Sequence, residues 1–180
     1  KEKLIAIAYE SKDGPMEQSV LTLDPLTGIA HAEMNWKKGK FSVWTPEHPA
    51  LIHFGIYTRN KGRLALLYTT KTAIRTVSVS KEKGFQLNGV SRKIQGVCLH
   101  HDLGPLGAAE NKAALIRQIK QMKDMGADAI RTAHNMPSEL FVQLCDSLGM
   151  MVMAESFDMW LYPKCKNGYA RFFQAWGERD

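Results

Sequence analysis

Several features that mark whole protein classes are scarce or missing in this sequence. Cysteine occurs three times, at 98, 145 and 165, with no C-x-x-C pair and no regular spacing. That argues against a disulfide framework or a zinc site and predicts reduced thiols, mostly buried. No run of about eighteen apolar residues is present to cross a bilayer, and the opening "KEKLIAIAYESKDG" has neither the long apolar stretch nor the cleavage site of a signal peptide. No membrane partner is expected. Because the sequence opens on a bare Lys within a strand-like run, its true N-terminus is expected to lie upstream, which leaves the compartment open. Neither G-x-G-x-x-G nor a P-loop occurs, so a nucleotide site has no support. The G-x-S-x-G elbow of serine hydrolases and the H-E-x-x-H zinc helix are absent as well.

What remains is a globular composition. The chain has 180 residues, 44% of them hydrophobic, enough to bury a core in one large or two modest domains. The formal charge of +6 is spread through "KEK", "KK", "RKI" and "KQMKD" with acids between, the pattern of a solvated surface rather than a phosphate-binding stripe. Nucleic acid is not an expected partner.

The hydrophobic period changes along the chain. Up to about residue 82 it runs in short alternating stretches: "LIAIAYE", "SVLTLD", "IAHAEMNW", "KFSVW", "LIHFGIYTR", "RLALLYTT" and "IRTVSVS". Separated by turn residues, these predict an antiparallel β-sandwich. From about 94 the pattern becomes strand, helix, strand, helix, strand. "IQGVCLHHD", "ADAIRTAHN" and "MMVMAES" are the strands. Asn111 caps a helix that stops at Gly126, and Pro137 and Ser138 open a second that stops at Gly149. Alternating units of this kind imply parallel strands, in a (β/α) barrel or an open sheet.

A barrel is favoured because each strand ends in polar residues: His100, His101 and Asp102, then Arg131 and His134, then Glu155 and Ser156. In a barrel those ends converge on one mouth. Desolvating several such groups is costly unless they meet a ligand or one another. Each also has a plain structural reading: a hydrogen-bonded loop residue for His100, a salt bridge for Arg131, a helix cap for His134, a support for Glu155. Trp160, Trp176, Tyr162 and Tyr169 follow the third strand, and their flat faces suit either sugar rings or ordinary packing. Cys98, two residues from His100, permits a Cys/His reading that nothing else marks.

"GFQLNGVSRKIQGVCLHHD" and "MKDMGADAIRTAHNMPSELFVQLCDSLGMMVMAESFDMW" resemble the start of the catalytic barrel of glycoside hydrolase family 2, above all its bacterial β-galactosidases. "VWTPEHPAL" and "AIRTVSVS" are similar to the end of the immunoglobulin-like sandwich that precedes that barrel. The resemblance covers essentially the whole chain and is strongest from Gly84 to Trp160. It implies a multidomain β plus α/β fold: an immunoglobulin-like β-sandwich over residues 1–83, then the N-terminal part of a (β/α)8 TIM barrel over 84–180.

The activity implied is retaining hydrolysis of terminal β-galactosides, in which one carboxylic acid protonates the leaving oxygen and a second carboxylate attacks the anomeric carbon. By the same resemblance His100 and His134 line the sugar subsite and Arg131 orients the nucleophile. Asp102, Glu155 and Trp160 complete the expected substrate-binding and supporting set. The acid/base Glu, in an Asn-Glu pair, and the nucleophile Glu are both expected beyond "WGERD", so no catalytic residue is expected in this chain, which reads as an inactive fragment.

Cys98 and Leu99 replace the family's usual Asn and basic residue, and Asn135 stands where Tyr is common. Met159, with Asp158 beside it, stands near the place of a magnesium-binding carboxylate. No cofactor is therefore expected, and magnesium has no support from the residues present. β-Glucuronidases and β-mannosidases share much of the pattern, and a non-catalytic carbohydrate-binding or structural module is the alternative from another class. The expected partner is a carbohydrate. An unfinished barrel would leave an open sheet edge, so self-association into a homo-oligomer stays open. Whether this bacterial-type chain works in the periplasm or the cytoplasm also stays open.

Overall fold

The computed structural model describes residues 3–11 and 13–179. The chain divides into Lys1–Lys93 and Ile94–Asp180, and each unit has its own core.

In the first unit β1 (Lys3–Tyr9), β2 (Met16–Val20), β5 (Ile52–Asn60) and β6 (Arg63–Thr72) form an antiparallel sheet in the order β2-β1-β5-β6. Short pairs β3 (Thr22–Leu23) and β4 (Ala30–His31) form a second sheet, and β7 (Val77–Ser80), β8 (Gly84–Leu87) and β9 (Val90–Ser91) a third. Two hairpins turn where the sequence allows positive φ. Lys61 and Gly62 (φ 46° and 81°) link β5 to β6, and Asn88 and Gly89 (φ 53° and 78°) link β8 to β9, as two-residue turns that match strand twist require. Ala8, Phe41 and Ile52 make the buried centre, with Met34, Trp36, Phe54 and Ile74 packed around it.

Two expected strands do not form as such. "KFSVW" contributes only an isolated bridge between Val43 and Ile74, because Phe41 and Trp44 are drawn inward as buried anchors. "IAHAEMNW" pairs only at Ala30–His31, while its Met34 and Trp36 pack on the core. The division between units falls after Lys93, and β8, which pairs with β7, goes with the first unit.

The second unit is a three-stranded parallel sheet with helices between successive strands. β10 (Gly96–Leu99), β11 (Ala129–Thr132) and β12 (Met151–Met153) lie in that order, joined through α1 (Lys112–Asp124) and α2 (Glu139–Leu148), and α3 (Ala170–Trp176) follows. Local chemistry sets the helix ends. Asn111 Oδ1 accepts from the Ala114 amide at 3.1 Å and Ser138 Oγ from the Phe141 amide at 3.1 Å, each satisfying a donor that the first turn leaves open. Gly149 stops α2 in the left-handed conformation, at φ 75°. Leu115 and Ile119 of α1, Ile130 of β11, and Phe141, Leu144 and Cys145 of α2 meet Met150 in one core. The side chains on one face of β11 are thus spent on packing, which leaves those on the other face to do something else.

Candidate functional site

Arg131 is on that other face. It follows Ile130, which is fully buried, and pairs in register with Cys98 on β10 and Met153 on β12. Its guanidinium reaches three residues from three segments. Nε donates to Glu155 Oε1, Nη1 lies 3.7 Å from Cys98 Sγ, and Nη2 lies 3.4 Å from His134 Nδ1. The second oxygen of Glu155 meets His134 Nδ1 at 2.8 Å. Because a carboxylate can only accept, that shorter contact fixes Nδ1 as the donor to Glu155, which leaves Nε2 of the Nδ1–H tautomer as an acceptor for a ligand hydroxyl. His100, just past β10, sets its ring at right angles to that of His134, with centroids 5.5 Å apart. The amide of Glu155 donates to Thr132 Oγ1 at 3.0 Å, so the main chain is fixed along with the side chain.

The electrostatics follow from these contacts. The Arg131 hydrogen bond holds the Glu155 carboxyl below its ordinary range; partial burial opposes this and the His134 contact adds to it. Glu155 in turn raises the guanidinium pKa, with Cys98 the second contributor. Glu155 is therefore an ionised carboxylate at neutral pH, which suits it to holding Arg131 and His134 and not to giving up a proton.

Four of the expected site residues thus come together: His100, Arg131, His134 and Glu155. The other two are engaged elsewhere. Asp102 Oδ1 accepts from the Gly104 amide at 2.6 Å and caps the turn after β10, while its carbonyl accepts from the Gln118 side chain at 3.2 Å. Trp160 belongs to an aromatic group, edge-on to Phe157 at 5.6 Å and tilted against Phe173 at 5.2 Å, and is 55% exposed.

The expectation of mostly buried thiols is corrected: Cys145 is buried, whereas Cys98 and Cys165 are exposed. Cys145 lies on the packed face of α2, where burial, with Asp146 adding to it, pushes its thiol up to about 12. Cys98 shares the open face of the sheet with Arg131. The sequence marked Cys98 as a possible nucleophile and as a departure from the family pattern, not as a partner of Arg131, and Thr132 carried no signal in it. What marks both is strand register against Arg131 and Glu155, which is a contact between segments and not a local pattern.

Beside the cluster lies a small hollow of about 40 Å³ lined by His100, His101, Gln118, Thr132, Asn135 and Ser138 among others, room for a water or two and not for a sugar ring. Among the described residues no group of three or more His, Cys, Asp or Glu side chains is placed to hold a metal ion.

Residues 77–161 match the model of the glycosyl hydrolases family 2 TIM barrel domain. Over that stretch the chain is similar to glycoside hydrolase family 2. Among curated relatives it is 51% identical over 113 residues to the β-galactosidase BoGH2A of Bacteroides ovatus, covering 63% of this chain and 13% of that protein. It is 37% identical over 139 residues to a putative β-glucuronidase of Formosa agariphila, covering 77% of this chain and 13% of that one. The crystal structure of a family 2 member from Bacteroides cellulosilyticus superposes on the whole chain with a TM-score of 0.82 at 30% identity, using 24% of its own chain. The chain therefore spans roughly an eighth of the length of those two curated relatives, and β10, β11 and β12 fall within the stretch that matches the family's barrel domain. The cluster around Arg131 stands at their carboxyl-terminal ends, where barrels keep their ligand chemistry.

Proposed function

We propose that this chain is part of a longer retaining β-glycosidase that removes terminal β-galactosides, and that the cluster of His100, Arg131, His134 and Glu155 is one wall of its sugar site. The observation that carries this is the Arg131–Glu155–His134 network at the ends of adjacent parallel strands. On this reading Glu155 fixes the guanidinium, and the guanidinium holds the nucleophilic carboxylate supplied from downstream, ready for attack and ionised. His134 Nε2 and the His100 ring face sugar hydroxyls, with bonds that tighten as the ring flattens toward the transition state. The first unit serves as the immunoglobulin-like sandwich that precedes the barrel in this family.

A β-glucuronidase is the second reading, supported by the relative from Formosa agariphila and by the β-glucuronidase of Rattus norvegicus, 34% identical over 118 residues. A uronate, however, calls for a cation free to bind its carboxylate, and on the galactosidase reading Arg131 has no edge to spare: one is paired with Glu155 and the other is reserved for the nucleophile. That and the higher identity to a β-galactosidase favour the neutral sugar.

The test is hydrolysis of 4-nitrophenyl β-galactoside by the longer protein, with the first-formed anomer read by proton NMR. Release of β-galactose before mutarotation supports the proposal, and release of the α-anomer contradicts the retaining mechanism. The isolated chain, which supplies neither acid, is expected to give no turnover; measurable turnover by it would contradict the fragment reading.

A further inference from the structure

We propose that the Asp158–Lys164 ion pair sets the charge preference of this sugar site, admitting neutral hexosides and turning away uronic acid glycosides. The inference rests on the glycosidase reading above and assigns the substrate class to particular residues.

Asp158 follows Glu155 by three residues, so the two Cα atoms are within about 11 Å of each other whatever path the chain takes. On this proposal one bound sugar ring meets both side chains. The intervening backbone is pinned: the Phe157 ring stacks on Tyr169 at 5.4 Å and 7°, with the edges of Trp160 and Phe173 against it at 5.6 and 5.4 Å. Asp158 Oδ1 accepts from Lys164 Nζ at 2.5 Å. That hydrogen bond is the main reason its carboxyl sits below the usual range, and His134 lowers it further, which puts the Asp158 charge within electrostatic reach of the site.

Each cation of this group is therefore matched to an acid, Arg131 to Glu155 and Lys164 to Asp158. A ligand carboxylate would have to break one of these pairs while approaching the Asp158 charge. A neutral sugar meets no such cost, because its hydroxyls can donate to the Asp158 carboxylate. Both side chains of the pair are substantially exposed, so solvent and salt screen the effect and keep it moderate.

The experiment compares kcat/KM of the longer protein for 4-nitrophenyl β-glucuronide and β-galactoside in the wild type, Asp158→Asn and Lys164→Met. Asp158→Asn removes the repelling charge and releases Lys164, so the glucuronide-to-galactoside ratio is expected to rise by on the order of tenfold, less in high salt. Lys164→Met leaves the acid unopposed, and the ratio is expected to fall. A ratio unmoved in Asp158→Asn, or a glucuronide rate still below detection there, overturns the inference while leaving the galactosidase intact. A wild type inactive on both glycosides would overturn the glycosidase reading and this inference with it.

Discussion

Replacing Arg131 with alanine is expected to lower kcat for an aryl β-galactoside in the longer protein by about a hundredfold or more, the cost of misplacing a reacting group by about 1 Å. KM should change much less. The reason is geometric: Arg131 reaches Glu155, Cys98 and His134 through three different nitrogens, and only a planar fork can do so while still offering an edge to another carboxylate. Lysine keeps the charge but is a single point on a flexible stem, so Arg131→Lys should recover little of the loss. Without the guanidinium, Glu155 loses the contact that does most to keep it ionised, and the low-pH limb of the activity profile should move upward. A variant that melts like the wild type yet is only a few-fold slower would mean that Arg131 merely ties the strands together.

The second large effect is structural. Ile130 lies fully buried on β11 between Ile119 of α1 and Phe141, Leu144 and Cys145 of α2. Ile130→Ala is expected to cost about 2–5 kcal/mol, and Ile130→Val about 0.5–1.5 kcal/mol. The larger loss is a sizeable share of the roughly 5–15 kcal/mol that holds a domain together. Denaturant titration of the barrel transition measures both. Because Arg131 is the next residue, a shift of β11 should also displace the guanidinium, so Ile130→Ala should lower activity as well as stability. An alanine variant as stable as the valine variant would contradict the packing described for this core.

Local signals in the sequence carried over well. Asn111, Ser138 and Gly149 mark helix ends through contacts within three or four residues, and the structure has those helix ends. The parallel strand order also follows from alternation of strands and helices alone. What could not be read depends on contacts between distant segments. "KFSVW" alternates like a strand, but Phe41 and Trp44 are taken into the core instead. The position of Asp102 at a strand tip suggested a ligand contact, whereas a local turn claims its carboxylate. His134 and Glu155 are 21 residues apart, and only the register of β11 against β12 brings them together. The convergence at the strand tips was legible because a barrel forces it; the partner of each nitrogen was not.

The cluster's role is tested most directly by trapping the longer protein with a 2-deoxy-2-fluoro-β-galactoside, which leaves a covalent glycosyl-enzyme, and solving that structure. The sugar should sit against His100 and His134, with Arg131 hydrogen-bonded to the carboxylate that carries it. A sugar bound away from these side chains, with Arg131 touching neither the ring nor its carboxylate, would contradict the account.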